Sequence, residues 1–97
     1  MSTTYTTRLI GSERVADRTM AFHFEKPADF VFRAGQAIDL VLPTVEDKGQ
    51  AARHAFSLVS APYEDRLSIA TRLRGSPYKE GLRALAPGAA VQIDGPF

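Results

Sequence analysis

Two short segments hold the residues whose types and spacing could do chemistry. The first is Arg53-His54-Ala55-Phe56-Ser57-Leu58-Val59-Ser60-Ala61-Pro62. Side chains alternate along a strand, so His54, Phe56 and Leu58 share one side, while Arg53, Ala55, Ser57 and Val59 share the other. Phe56 offers a flat face and Ser57 a hydroxyl next to it. A planar, electron-poor ring system needs such a surface to stack on and a hydrogen-bond partner at its polar edge. The second segment is Gly75-Ser76-Pro77-Tyr78-Lys79-Glu80-Gly81-Leu82, a helix start set among Arg66, Arg72, Arg74, Lys79 and Arg83. Free backbone N–H groups and cations in such a corner favour a phosphate. A ring with a phosphate is the chemistry of a flavin nucleotide.

Composition limits what else the chain can do. Its 97 residues, 44% apolar and 24% charged, suit one ordinary globular domain with one modest core and leave no room for a second catalytic domain. There is no cysteine, which excludes disulfides, thiolate metal sites, iron–sulfur clusters and a nucleophilic thiol, so redox chemistry here needs an organic cofactor. No His, Asp and Glu spacing suggests a metal site. A formal net charge of +1 is too small for bulk attraction to nucleic acid or membrane. The local excess of arginine suits a small anion or an acidic protein surface. No apolar run reaches transmembrane length, and Met1-Ser2-Thr3-Thr4-Tyr5 lacks the charged start and apolar centre of a signal peptide, so a cytoplasmic location is the expectation.

The elements that must position these residues follow from periodicity. Residues 4–16 read as a Thr-rich strand with Thr3, Tyr5, Thr7 and Leu9 on one face and a bend or bulge at Gly11. Residues 19–25 alternate, with Met20, Phe22 and Phe24 on one side and His23 facing solvent on the other. A loop carrying Phe30, Phe32 and the turn Arg33-Ala34-Gly35-Gln36 leads to a strand over 37–43. Residues 44–52 read as a polar loop, 54–60 and 67–73 as strands, and 90–94 as the last strand. Between the last two strands lies one short helix, with Ser76 as N-cap, Pro77 at the first position, Leu82 and Leu85 on the buried side, and Pro87-Gly88 as its end. The expected fold is mostly β: one domain over residues 1–97, a six-stranded antiparallel Greek-key barrel, closed or nearly closed, with a helix between strands five and six.

On these residues the chain resembles the FAD-binding barrel domain of the ferredoxin–NADP reductase superfamily, over essentially its whole length. His54-Ala55-Phe56-Ser57 stands where the family shows an Arg-x-Tyr-Ser motif, Gly75 to Leu82 where it shows a glycine-led turn into a helix, and Gly95-Pro96-Phe97 where its barrel leads into a nicotinamide-binding domain. The resemblance implies that Phe56 stacks on the isoalloxazine and that Ser57 bonds its N5/O4 edge, which makes Ser57 the catalytic candidate. It implies that Ala70, Thr71, Arg72 and Ser76 face the ribityl chain and pyrophosphate and that Lys79 or Arg72 balances charge. FAD is implied ahead of FMN, with NADH or NADPH as hydride donor on another domain or subunit, so turnover by these residues alone is not expected. The chain departs from the pattern where His54 replaces the arginine, Phe56 the tyrosine and Lys79 a Ser or Thr. A bulge would be needed to bring Arg53 onto the His54 side.

Each of these residues also has a plainer explanation. Phe56 suits a core aromatic, His54 a surface imidazole, Ser76-Pro77 ordinary helix capping, and the arginines a solvated face or a docking patch for an acidic electron-transfer partner. A small barrel that binds nucleic acid or protein through the Arg66 to Arg83 region, or a scaffold that has lost flavin, is the alternative to the flavin reading. The first of these would carry more exposed aromatics and a larger positive excess than this chain has.

Overall fold

A computed structural model describes residues 4–97, so Thr3, expected to share one face with Tyr5, Thr7 and Leu9, lies outside the described residues. The elements are β1 (Thr4–Ala16), β2 (Thr19–Glu25), β3 (Ala37–Asp47), β4 (Gln50–Ser57), β5 (Arg66–Arg72), α1 (Pro77–Arg83) and β6 (Ala90–Asp94). They form one antiparallel sheet in the order β4-β3-β6-β1-β2-β5. β1 makes the sheet continuous. Its Thr4–Arg8 half pairs with β6, and from Leu9 onward it pairs with β2, with a bulge between Leu9 and Gly11 where the strand changes partner.

The core is the inner face of this curled sheet. Phe22 and Phe24 from β2, Ile38, Leu40 and Leu42 from β3, Leu67 and Ile69 from β5, and Val91 and Ile93 from β6 are almost wholly buried, each at the period of two that alternation demands. Burying one such side chain stabilises the fold by about 1.5–3 kcal/mol. Phe30 and Phe32 lie in the loop before β3 yet are also buried, and they close one end of the core against Tyr5, whose ring meets Phe30 edge-on at 5.1 Å. A nearly structureless segment thus serves as a plug.

The barrel is open along one line. β4 and β5 end the sheet without pairing as strands. Just beyond β4, the Val59 N–H donates to Ser68 O (2.8 Å) and the Ser68 N–H to Ser60 Oγ (3.0 Å), so the two edges meet there.

Three expectations need correction. Residues 44–52 are not a loop: β3 runs to Asp47 and β4 starts at Gln50, joined at Lys48-Gly49, both with positive φ (52° and 82°). Such a two-residue turn matches the twist of a hairpin. This hairpin projects past the core, so its exposed residues carry no apolar alternation. β4 ends at Ser57 rather than at residue 60, because Leu58 N–H turns away to Gln36 O. His23 does not simply face solvent: its side chain is only 11% exposed. Its Nε2 donates to Glu13 (2.9 Å) and its Nδ1 lies 2.7 Å from Ser68 Oγ, which ties β2 to both neighbouring strands.

Candidate functional site

The seam between β4 and β5 is where the expected residues gather. Ladder pairing along β4 is unbroken from Val41↔Arg53 through Leu40↔His54 and Ile38↔Phe56 to Ala37↔Ser57, so no bulge intervenes. Alternation therefore holds. His54 and Phe56 face α1, while Arg53 faces the opposite surface.

α1 packs on β3 beside the seam, where its capping is strong and its anchor is deep. The Ser76 hydroxyl accepts from the Lys79 N–H at 3.1 Å, Pro77 starts the helix, and Leu82 is fully buried beneath it. The helix ends at Arg83, four residues before the expected Pro87, and Leu85 lies past it, half-buried. With seven residues it has little stability of its own, so packing decides its position. Its first turn presents Tyr78, whose ring lies 5.6 Å from His54 and 6.1 Å from Phe56. His54 stacks on Phe56 at 4.7 Å, and the three rings form one cluster. Phe56 is 7% exposed, so it forms the floor of the cluster, and His54 provides its open side.

Lys79 joins the cluster to β5. Its ammonium sits 5.5 Å over the Phe56 ring and donates to Thr71 Oγ1 and to Arg72 O (3.1 Å). Partial burial, with the neighbouring Arg74 charge, lowers its pKa from the ordinary lysine value. Tyr78 donates to Leu40 O at 2.7 Å, and burial, with the Asp39 carboxylate, pushes its phenol well up, so it stays neutral. The His54 Nδ1 lies 2.9 Å from Ala55 O, a contact that requires the proton on Nδ1.

The structure thus brings together His54, Phe56, Thr71, Arg72, Ser76 and Lys79. Ala70 is exposed on β5. Ser57 is exposed at the end of β4, opposite Ala37, whose backbone exchanges two hydrogen bonds with Phe97 (2.8 and 2.9 Å). Arg53 stands apart. It pairs with Asp39 (3.0 Å) and Asp94 (2.5 Å) on the far surface, where Asp94 also accepts from Thr4. Tyr78 was not singled out from sequence, although its place two residues after the cap in the first helical turn was the available signal.

The Thr4 hydroxyl and then Arg53 hold the Asp94 carboxyl below the usual carboxylate range. A carboxyl whose pKa is depressed on folding contributes stability above its unfolded value of about 3.9, and that contribution is lost as pH falls through the lower folded value. Asp94→Asn is expected to cost about 0.5–1 kcal/mol at pH 7, since Arg53 is half exposed, and the gap to the parent should close below about pH 4. Denaturant unfolding across that range measures it.

A second surface borders the seam. An open groove of about 700 Å³ is lined by Asp17, Arg18, Arg72, Leu73, Arg74 and Gly75. A smaller one, sharing Arg18 and Leu73, adds Arg14 and Arg83. All five arginines are exposed. Among the described residues, no helix is long and apolar enough to cross a membrane, and no cluster of His, Cys, Asp or Glu could hold a metal ion.

No family model matches the chain. Ferredoxin–NADP reductase B of Sorangium cellulosum is 37% identical over 81 residues, which are 81% of this chain and 32% of that protein. Respiratory burst oxidase homolog protein E of Arabidopsis thaliana is 30% identical over 84 residues, 87% of this chain and 8% of that protein. The chain therefore spans a third or less of the length of these relatives. Among solved structures, the cytochrome P450 reductase of Amycolatopsis matches 99% of this chain with 28% of its own, at 27% identity and a TM-score of 0.82. A ferredoxin NADP+ reductase from Neisseria gonorrhoeae with bound FAD and NADP shares the fold, with a TM-score of 0.81 and 22% identity over 97% of this chain and 39% of its own. In strand order and in the helix at the seam the chain has the fold of these reductases, and in sequence it is similar to a part of the ferredoxin–NADP reductase of Sorangium cellulosum.

Proposed function

We propose that this chain holds FAD for an NAD(P)H-dependent oxidoreductase, with the nicotinamide bound by another domain or subunit. The observation that carries the proposal is the cluster of His54, Phe56 and Tyr78 at the one open line of the barrel, with the Lys79 ammonium against it. When bound, the flavin supplies hydride acceptance and release of electrons one or two at a time. The residues present fit such a group. The ring cluster gives a flat apolar support, Lys79 and Arg72 give positive charge for phosphate, and the exposed Ser57 hydroxyl gives a hydrogen-bond partner at the end of β4. Because Phe56 is nearly buried, it acts as the floor that sets the height and tilt of His54, and the His54 and Tyr78 rings share the stacking surface. Arg53, committed to two carboxylates, leaves the phosphate charge to Lys79 and Arg72.

The exposed arginine surface beside the seam fits an acidic electron-transfer partner, steered there by charge.

Titration of the purified chain with FAD and with FMN, followed by flavin fluorescence and thermal shift, tests the proposal. Saturable binding with FAD preferred is expected, and a folded chain that binds neither flavin rejects it. Lys79→Ala should weaken FAD by less than about tenfold, mostly at low salt, because a single half-exposed charge contributes about 1 kcal/mol and is screened.

A further inference from the structure

The chain has three lysines, Lys26, Lys48 and Lys79, and each amine sits in a different electrostatic setting. Lys48 is exposed at the tip of the β3–β4 hairpin, directly after the exposed acids Glu46 and Asp47. Lys26 follows Glu25, and its ammonium donates to Pro62 O (2.8 Å) and Glu64 O (3.2 Å) while lying 5.9 Å over the Phe32 ring. Lys79 is the one set against cations. Its ammonium donates to Arg72 O at 3.1 Å, and Arg72 and Arg74 line the groove of about 700 Å³ together with Arg18, Leu73 and Gly75. The one acid of that lining, Asp17, is paired with Arg14 at 3.2 Å. Glu80, next after Lys79, is exposed, and residues one apart on a helix do not face each other.

An amine beside arginines is a nucleophile beside a place for phosphate. Burial, and then the Arg74 charge, hold the Lys79 pKa below the ordinary lysine value, which enlarges the fraction with a free electron pair. Thr71 suits both states of the amine. Its Oγ1 accepts from the ammonium, and a hydroxyl can equally donate to a neutral nitrogen. An acyl phosphate has the matching parts: an anionic group for the arginines and, joined to it through one oxygen, an electrophilic carbonyl carbon for the amine.

We infer that Lys79 is a site of acylation by small acyl phosphates, which Arg72 and Arg74 hold by the phosphate with the acyl carbon toward Nζ. The Nζ electron pair forms the C–N bond, the bond from the acyl carbon to the bridging oxygen breaks, and hydrogen phosphate leaves with a proton from the nitrogen. Nothing is oxidised or reduced. The acylation itself needs no flavin, whereas its consequence rests on the flavin reading. An acylated Lys79 carries no charge, so it offers nothing to a flavin phosphate and FAD binds more weakly. Bound FAD in turn shields the amine.

Treatment of the parent chain with acetyl phosphate, with each lysine followed over time by peptide mass spectrometry, tests the inference. Acetylation of Lys79 should run about fivefold or more faster than that of Lys48, because the groove concentrates the anion and the hairpin acids repel it. Excess inorganic phosphate and Arg74→Ala should each reduce this preference. N-acetoxysuccinimide, a neutral acetyl donor, should show a smaller preference or none. Arg74 is exposed, so its variant should keep the thermal unfolding of the parent, and the phosphate competition needs no variant. Equal rates at Lys48 and Lys79 with acetyl phosphate overturn the inference, as does a preference that is the same with the neutral donor or insensitive to phosphate. Saturating FAD distinguishes the two readings. FAD that binds without slowing a preferred acetylation of Lys79 takes Lys79 out of the flavin site and leaves the acylation standing. FAD binding without any preferred acetylation rejects the acylation and leaves the flavin reading intact.

Discussion

Phe56→Ala is expected to lower both stability and flavin affinity, each by a separately measurable amount. Phe56 is 7% exposed, stacks on His54 at 4.7 Å and supports the Lys79 ammonium at 5.5 Å. Removing a packed ring typically costs 3–5 kcal/mol, and at the rim of the core the lower figure, about 3 kcal/mol, applies. That is a large share of the roughly 5–15 kcal/mol available to a domain of this kind. Affinity for FAD should fall by about 1–3 kcal/mol, or roughly 5- to 150-fold, because the support beneath the stacking surface is gone. Phe56→Tyr keeps the ring and should stay within a few-fold of the parent. Denaturant midpoints and FAD titrations at a temperature where the variant remains folded separate the two effects. Unchanged affinity in folded Phe56→Ala would refute the assignment of this ring.

Leu82→Ala is the second large effect. Leu82 is fully buried and is the buried residue of α1, so its truncation should cost about 2–5 kcal/mol. The consequence reaches the site because a seven-residue helix has almost no independent stability. Once the anchor is weakened, Tyr78 leaves its place 5.6 Å from His54, and Lys79 leaves Thr71 and Arg72. FAD affinity should therefore drop about tenfold or more, although Leu82 lies under the helix and away from the cluster. If stability falls while affinity in the folded variant is unchanged, then α1 does not position the site.

Local rules made most of the fold legible in the sequence. Alternation in 19–25 placed Phe22 and Phe24 correctly, and Ser76-Pro77 marked the helix start to the residue. The unread parts depend on partners distant in sequence. His23 is drawn in by Glu13 and Ser68, on two other strands, and nothing in its own segment signals either. The β3–β4 hairpin was unreadable for a different reason: most of its residues are exposed and only Val45 and Ala52 are drawn inward, so the strand has no apolar period, and only the Lys48-Gly49 turn gives it away. At the site, the motif residues His54 and Phe56 were legible by type and spacing, whereas Arg53 required knowing that β4 pairs without a bulge and that Asp39 and Asp94 wait on the outer face. Tyr78 joins the cluster only because Leu82 draws the helix down, which is a tertiary event.

The open seam also has a consequence for self-association. Strand edges with free N–H and C=O groups are templates onto which a foreign strand can add, and a fully closed barrel has none. This chain keeps two, but it turns them toward each other, fastens them beyond β4 at Val59 and Ser68, and fills the space between with three rings and an ammonium. The protection lasts only while both sides stay together. Any group that spans the seam therefore acts as a missing rung, and it guards the solubility of the folded chain as well as completing a site.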